Sequence, residues 1–201
     1  MNLTQYLILL SGILTVAAVV PYIIDIVRGK TKPRVVSWFT WCLLNGIAGF
    51  AAFVDGQYPA AIMLGASTFS LMAIVALGWH HGDRKFERFD IVCQVGALIG
   101  LTLWLIFNSP AIAVIAAIII DVIGALPTVK HAWQKPHEET WSLFALSGAG
   151  SLCALLVAGN TRITAIAYPI YIVLNSILFV SIIVIRHKYA VKGQPAEVLE
   201  F

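Results

Sequence analysis

The sequence predicts an all-α, polytopic membrane protein whose seven transmembrane helices form two parallel three-helix repeats joined by a connector helix. Composition is the first of three observations behind this. Of the 201 residues 60% are hydrophobic and only 11% charged, and the mean hydropathy is +0.89, far from the balance of a water-soluble domain. The second is the recurrence of apolar runs long enough to cross a hydrocarbon core of ~30 Å. The third is a signature that occurs twice. Lys32-Pro33-Arg34-Val35-Val36-Ser37-Trp38 aligns without gaps on Lys135-Pro136-His137-Glu138-Glu139-Thr140-Trp141. In the same register Ala51, Val54 and Gly56 meet Ala154, Val157 and Gly159, and Gln57 meets Asn160. A repeat inside so apolar a chain points to a duplicated helix bundle, a construction that places a binding site between two halves.

The apolar runs give the spans in order: Leu3–Val27, Val35–Val54, Pro59–Gly78, Ile91–Phe107, Pro110–Val129, Leu143–Ala158 and Ala165–Ile185. The first is expected to be retained, because Met1 to Gln5 carry no side-chain charge and no small-residue cleavage site follows a run of signal length. Residues 1–79 then form the first unit and residues 110–190 the second. Residues 80–109 supply a charged loop, His80 to Asp90, and the connector span. Three crossings are an odd number, so two units in the same orientation need one extra crossing between them. Residues 191–201 read as a disordered cytoplasmic tail.

Basic residues set the orientation. Arg28, Lys30, Lys32 and Arg34 follow span 1; Arg84, Lys85 and Arg88 follow span 3; Lys130 and Lys135 follow span 5; Arg186, Lys188 and Lys192 follow span 7. Of the 13 basic residues only Arg162 falls on the other side. This asymmetry predicts an outside N-terminus and a cytoplasmic C-terminus, in a bacterial inner (plasma) membrane. The net charge of +3 is then a matter of topology, and nucleic acid is not an expected partner. Cys42, Cys93 and Cys153 lie within apolar spans and read as small buried hydrophobes, with no disulfide framework or metal spacing.

In each unit a proline near the inner end of the first span is followed by a basic loop and then by a Ser or Thr entering the second span: Pro21 to Ser37, and Pro127 to Thr140. With its parallel halves and outside N-terminus, the chain resembles the SWEET/PQ-loop superfamily over nearly its whole length. The resemblance implies a 3+1+3 helix plan and alternating access, with Pro21 and Pro127 as hinges. Asp25, near the inner end of span 1, is a secondary candidate for an inner gate. The family's glutamine after the proline is Tyr22 in one copy and Thr128 in the other, and spans 2 and 6 lack a proline, so sugar specificity is not implied.

Asp121 is the costliest residue to bury. It lies about eleven residues into span 5, about 16 Å from the outer edge at 1.5 Å per residue. A carboxylate at that depth costs about 2.5–3.5 kcal/mol on insertion scales and usually faces a polar interior. It is a candidate proton-coupling site, and the resemblance supports that role. The alternative is a hydrogen-bonded Asp that ties helices together. Asn45 in span 2 and Asn175 in span 7 reach the same depth, each about 15 Å from its edge. Their amides suit hydroxyl, amide or carboxylate groups of a small solute, or hydrogen bonds between helices. Asn175 also sits where the resemblance places a substrate-contacting asparagine, and Ser67 or Thr68 is its nearest first-unit counterpart. Trp41 and Tyr171 lie deep enough to wall a pathway. Trp38, Trp79, Trp133 and Trp141 read as inner-interface aromatics, and Tyr58, Trp104 and Tyr168 as outer ones. Asp25 stands three residues before Arg28 and can also form a local ion pair.

Several functions are disfavoured. Span 7 has no interior lysine for a retinal Schiff base. The five histidines sit at loops or helix ends, and no H-E-x-x-H, G-x-S-x-G, P-loop or paired-Cys motif occurs. An enzyme, a cofactor and a bound metal are therefore not expected. The expected function is transport of a small polar solute by alternating access, with protons as the candidate coupling ion. The alternative is a non-transporting binding or receptor-like protein of the same build. Lipid is the expected environment, and a homo-oligomer is compatible with either reading.

Overall fold

The computed structural model describes residues 2–54, 58–83, 87–106, 110–158 and 163–191. Among these residues seven α-helices follow one another: α1 Leu3–Val27, α2 Val35–Val54, α3 Tyr58–His81, α4 Arg88–Ile106, α5 Pro110–Gln134, α6 Trp141–Val157 and α7 Ile163–Val191. A 3₁₀ turn, Pro136–Glu138, links α5 to α6. Among the described residues three stretches are long and apolar enough to cross a membrane: Leu3–Val27, Val114–Gln134 and Ile166–Lys188. The first two helices keep the bounds read from the sequence. Helices α3, α5 and α7 run past the ends of their apolar runs, because a helix continues wherever its backbone bonds close, whatever the polarity of its last turns. Phe107, Gln57, Arg162 and the tail 192–201 lie outside the described residues.

By their contacts the helices gather into two compact units. One holds α1, the C-terminal turns of α5, α6 and most of α7; the other holds α2, α3, α4, the rest of α5 and the start of α7. In the first unit α1 packs on α6. Ala18, Tyr22 and Ile26 recur every four residues and are fully buried, as a helical stripe requires. The rest of α1 leaves large apolar side chains exposed, among them Leu9, Ile13, Val16, Val20 and Ile24. The rings of Phe144 and Phe179 stack at 4.1 Å between α6 and α7. Nearby, a Cβ on Gly148 would come within 2.6 Å of the Ser176 Cβ, so that contact accepts only glycine. Helix α1 ends in a tight turn. Gly29 takes φ +70, a conformation that costs glycine nothing, and the Asp25 carbonyl accepts the N–H groups of Lys30 and Thr31.

In the second unit α2 packs on α3 and α4, around a core of Ala97 and Ile120 flanked by Leu44 and Ile47. Helix α5 comes against α2 at Gly124, where the Thr40 side chain lies 3.0 Å from the place a Cβ would occupy. Prolines stand inside α1, α5 and α7, at Pro21, Pro127 and Pro169. Each removes one backbone donor from its helix and leaves a carbonyl one turn earlier without its usual partner. Proline there is tolerated where neighbouring groups make up the loss.

Candidate functional site

Asp121 is buried on α5, and two aromatic side chains from other helices meet its carboxyl group. The Tyr168 hydroxyl donates to Oδ2 at 3.0 Å. The buried indole N–H of Trp41 approaches the same group without completing a hydrogen bond. Trp41 is held by an edge-on contact with Trp38, ring centres 5.0 Å apart and planes at 88°. Tyr168 stands just before Pro169, in the early turns of α7. A carboxyl group between a phenol and an indole can accept from either donor when ionised, and can return a hydrogen bond to the phenol oxygen when protonated. The partners are thus aromatic. The sequence had placed Tyr168 among the interfacial rings, and nothing in its spacing tied it to Asp121.

The amides do not join this group. The Asn45 side chain donates to the carbonyl of Trp41 one turn back on its own helix, at 2.9 Å. Asn175 is half-buried on α7 beside Ser176, and both Asn175 and Tyr171 belong to the unit of α1 and α6. The Tyr171 hydroxyl is buried. Thr68 packs against α2: its methyl group faces Gly46, and its carbonyl accepts from the Cys42 thiol at 3.8 Å. Ser67 is half-buried beside it. Among the described residues, then, the proposed solute contacts Asn45, Ser67, Thr68 and Trp41 share one unit with Asp121, and only Trp41 reaches it.

Close to Asp121 along the chain, an open and largely apolar cleft of about 240 Å³ is lined by Phe39, Thr40, Leu43, Gln94, Leu98 and Ile120. Its polar groups are already engaged. The Gln94 amide donates to the Val36 carbonyl at 3.1 Å and to the Thr40 hydroxyl.

A second polar cluster joins the C-terminal end of α1 to the start of α6. Thr140 is the N-cap residue of α6, yet its side chain makes no capping bond. Its hydroxyl donates to Asp25 Oδ2 at 3.0 Å. Its only hydrogen is therefore spent, so in the close Thr31–Thr140 contact Thr31 must be the donor. One residue earlier, Glu139 is buried and accepts the Tyr22 hydroxyl at 3.2 Å. Burial lifts the Glu139 carboxyl to about 8; the Tyr22 hydrogen bond opposes the rise and the neighbouring Glu138 carboxylate adds to it. Glu138 faces His131 Nε2 at 3.4 Å and Lys135 Nζ at 3.6 Å. Asp25 belongs to this cluster, and no Asp25–Arg28 ion pair forms among the described residues. The local pair is corrected for a simple reason: the chain turns at Gly29 and brings Thr140 to the carboxylate.

The third cluster surrounds Arg34, the residue before α2. Its guanidinium is buried and reaches Asp83 at 3.0 Å, Asp90 at 2.5 Å and Glu87 at 3.8 Å. Asp90 also accepts the Glu87 N–H at 2.7 Å, which caps the start of α4. In the sequence Arg34 reads as a loop charge; in the structure it fastens the α3–α4 connection to α2. A buried arginine is hard to tell from a solvated one by sequence alone, but acids at 83, 87 and 90 were a usable hint. Glu139 offered a better one, since its partner in the repeat is Val36. Comparison with protein families, with curated proteins and with solved structures finds no match to this chain.

Proposed function

We propose that the chain is a membrane transporter of a small polar solute, coupled to protons through Asp121. The observation that carries the reading is the buried Asp121 carboxyl, bonded by Tyr168 and faced by Trp41 within helices of otherwise apolar sequence. A carboxyl in such a setting is costly to keep and usually marks an ion or substrate path. The lipid setting has its own support: three helices have the length and apolarity to cross a bilayer, and α1, α4 and α7 expose rows of large apolar side chains that water would penalise. On this reading the basic loops face the cytoplasm. The two repeats of the 3+1+3 plan, resembling the SWEET/PQ-loop superfamily, move against each other about Pro21 and Pro127. Asn175, Asn45, Ser67, Thr68 and Tyr171 remain the candidate solute contacts.

The test is uptake by the purified protein in liposomes, with and without an imposed pH gradient, over a panel of sugars, amino acids and small organic acids. Uptake of one class that rises with the gradient is expected. Asp121→Asn should keep solute exchange and lose the gradient dependence, because it mimics the protonated carboxyl and removes its titration. Gradient-driven uptake unchanged in that variant would overturn the coupling. Specific binding without uptake of any solute would favour a receptor-like protein.

A further inference from the structure

The repeat sets an unusual comparison at the start of α6. In the ungapped register Glu138 and Glu139 meet Val35 and Val36. All four side chains are buried. Valine therefore meets the packing requirement at these positions in one copy, and the carboxyl groups of the other copy need a separate reason, since burying them is costly. Glu138 has one in His131 and Lys135. Glu139 has only the Tyr22 hydroxyl on Oε2; its Oε1 is buried with no hydrogen-bond partner among the described residues. The same register pairs Asp25 with Thr128 and Thr140 with Ser37. Both counterparts, Thr128 and Ser37, are buried hydroxyls without a hydrogen-bond partner among the described residues. The ionisable form of this cluster is thus built once, at the junction of α1 and α6.

We propose that Glu139 is a proton-binding site whose proton latches the C-terminal end of α1 to the start of α6. The proton comes from water and settles on Oε1, while Oε2 goes on accepting from Tyr22. The neutral carboxyl then stays buried. Once the proton returns to water, the carboxylate has one phenol donor and no bonded cation, and needs the hydration that only an opened α1–α6 contact supplies. The titratable groups that bear on it are Tyr22 and Asp25 from α1, Glu138 beside it, and His131 and Lys135 behind Glu138. The Asp25–Thr140–Thr31 chain closes with the latch, because Thr140 adjoins Glu139.

The sign follows from linkage. The carboxyl stands at about 8 when buried, against 4.5 for a solvated glutamate. The closed contact is fully favoured below the solvated value and weakens about tenfold per pH unit between the two, with no further loss above the buried value. Use of this latch as an inner gate rests on the transport reading; the site itself does not.

The full chain in lipid nanodiscs tests it. Infrared titration should show a carboxylic-acid carbonyl band lost with a midpoint near 8 and absent from Glu139→Gln. Hydrogen exchange at the first turn of α6, corrected for the intrinsic rate, should speed up as pH rises from 4.5 to about 8 in the native protein and level off above that. It should stay flat in Glu139→Gln and in Glu139→Val, which carries the residue of its repeat partner. Tyr22→Phe removes the donor that favours the anion and should move the midpoint upward, an effect that a packing role alone would not produce. A band unchanged in Glu139→Gln, or pH-dependent exchange persisting there, overturns the proposal. A midpoint that falls as sodium is raised would assign the site to a metal cation and overturn it too. None of these readouts needs transport. A protein that moves no solute refutes the transport reading alone, and a missing titration refutes the latch alone.

Discussion

Replacing Arg34 by methionine should be among the most damaging single changes in this protein. The guanidinium is 6% exposed, and it lies 2.5 Å from Asp90 and 3.0 Å from Asp83, whose side chains are 1% and 14% exposed. Methionine keeps much of the stem's volume but leaves two carboxylates without their cation. Breaking a buried pair from one side costs about 3–5 kcal/mol, because an uncompensated charge stays behind. The more open Glu87, at 3.8 Å and 46% exposed, adds little. At about 2–4 °C per kcal/mol for a chain of this size, the midpoint of thermal unfolding should fall by about 6–20 °C. Detergent-solubilised protein followed by size-exclusion after heating would read this. The double variant Arg34→Met/Asp90→Leu should recover part of the loss, since it removes the more deeply buried of the two orphaned carboxylates and leaves only the Asp83 charge behind. Additive losses in the double variant, or an Arg34→Met midpoint within about 2 °C of the native one, would refute the claim that this cluster is a desolvated ion pair.

Two further outcomes are expected. Gly148→Ala places a methyl group within 2.6 Å of Ser176 and should cost about 1–3 kcal/mol by overpacking, while Gly12→Ala, with open space around it, should be neutral or slightly stabilising; heating the two side by side checks this. A cysteine-free background with Lys30→Cys should resist an impermeant thiol reagent applied to intact cells, and one with Asn2→Cys should react, if the N-terminus is outside.

How much could be read beforehand differs from residue to residue. Helices α1 and α2 were legible to the residue because their apolar runs end where the chain turns, at Gly29 and at the Pro33-Arg34 step. The end of α7 was not. Its apolar run stops before Arg186, but the helix continues, and the Arg186 side chain stacks on Trp133 at 4.7 Å and donates to its carbonyl. Asp121 stood out because a carboxyl in an apolar run has no ordinary reason to be there. Tyr168, which holds it, did not, because a tyrosine near a helix end looks the same whether it meets lipid headgroups or a carboxylate. Glu139 hid inside the repeated signature. There the two copies differ most in chemistry at adjacent positions, where Val35 and Val36 stand against Glu138 and Glu139.

The pairing of α1 with α6 also bears on how the chain is made. Helix α1 is complete at Val27, but its packing partner begins only at Trp141. At roughly 5–20 residues per second of synthesis, the wait is on the order of ten seconds. Throughout it Tyr22 and Asp25 lack Glu139 and Thr140, and Gly150 of α6, which meets Ser11 and Thr15, does not yet exist. Contacts so far apart in sequence form late. The first helix to emerge is therefore among the last to settle, and Tyr22 and Asp25 at its polar end wait for Glu139 and Thr140 until the second half arrives.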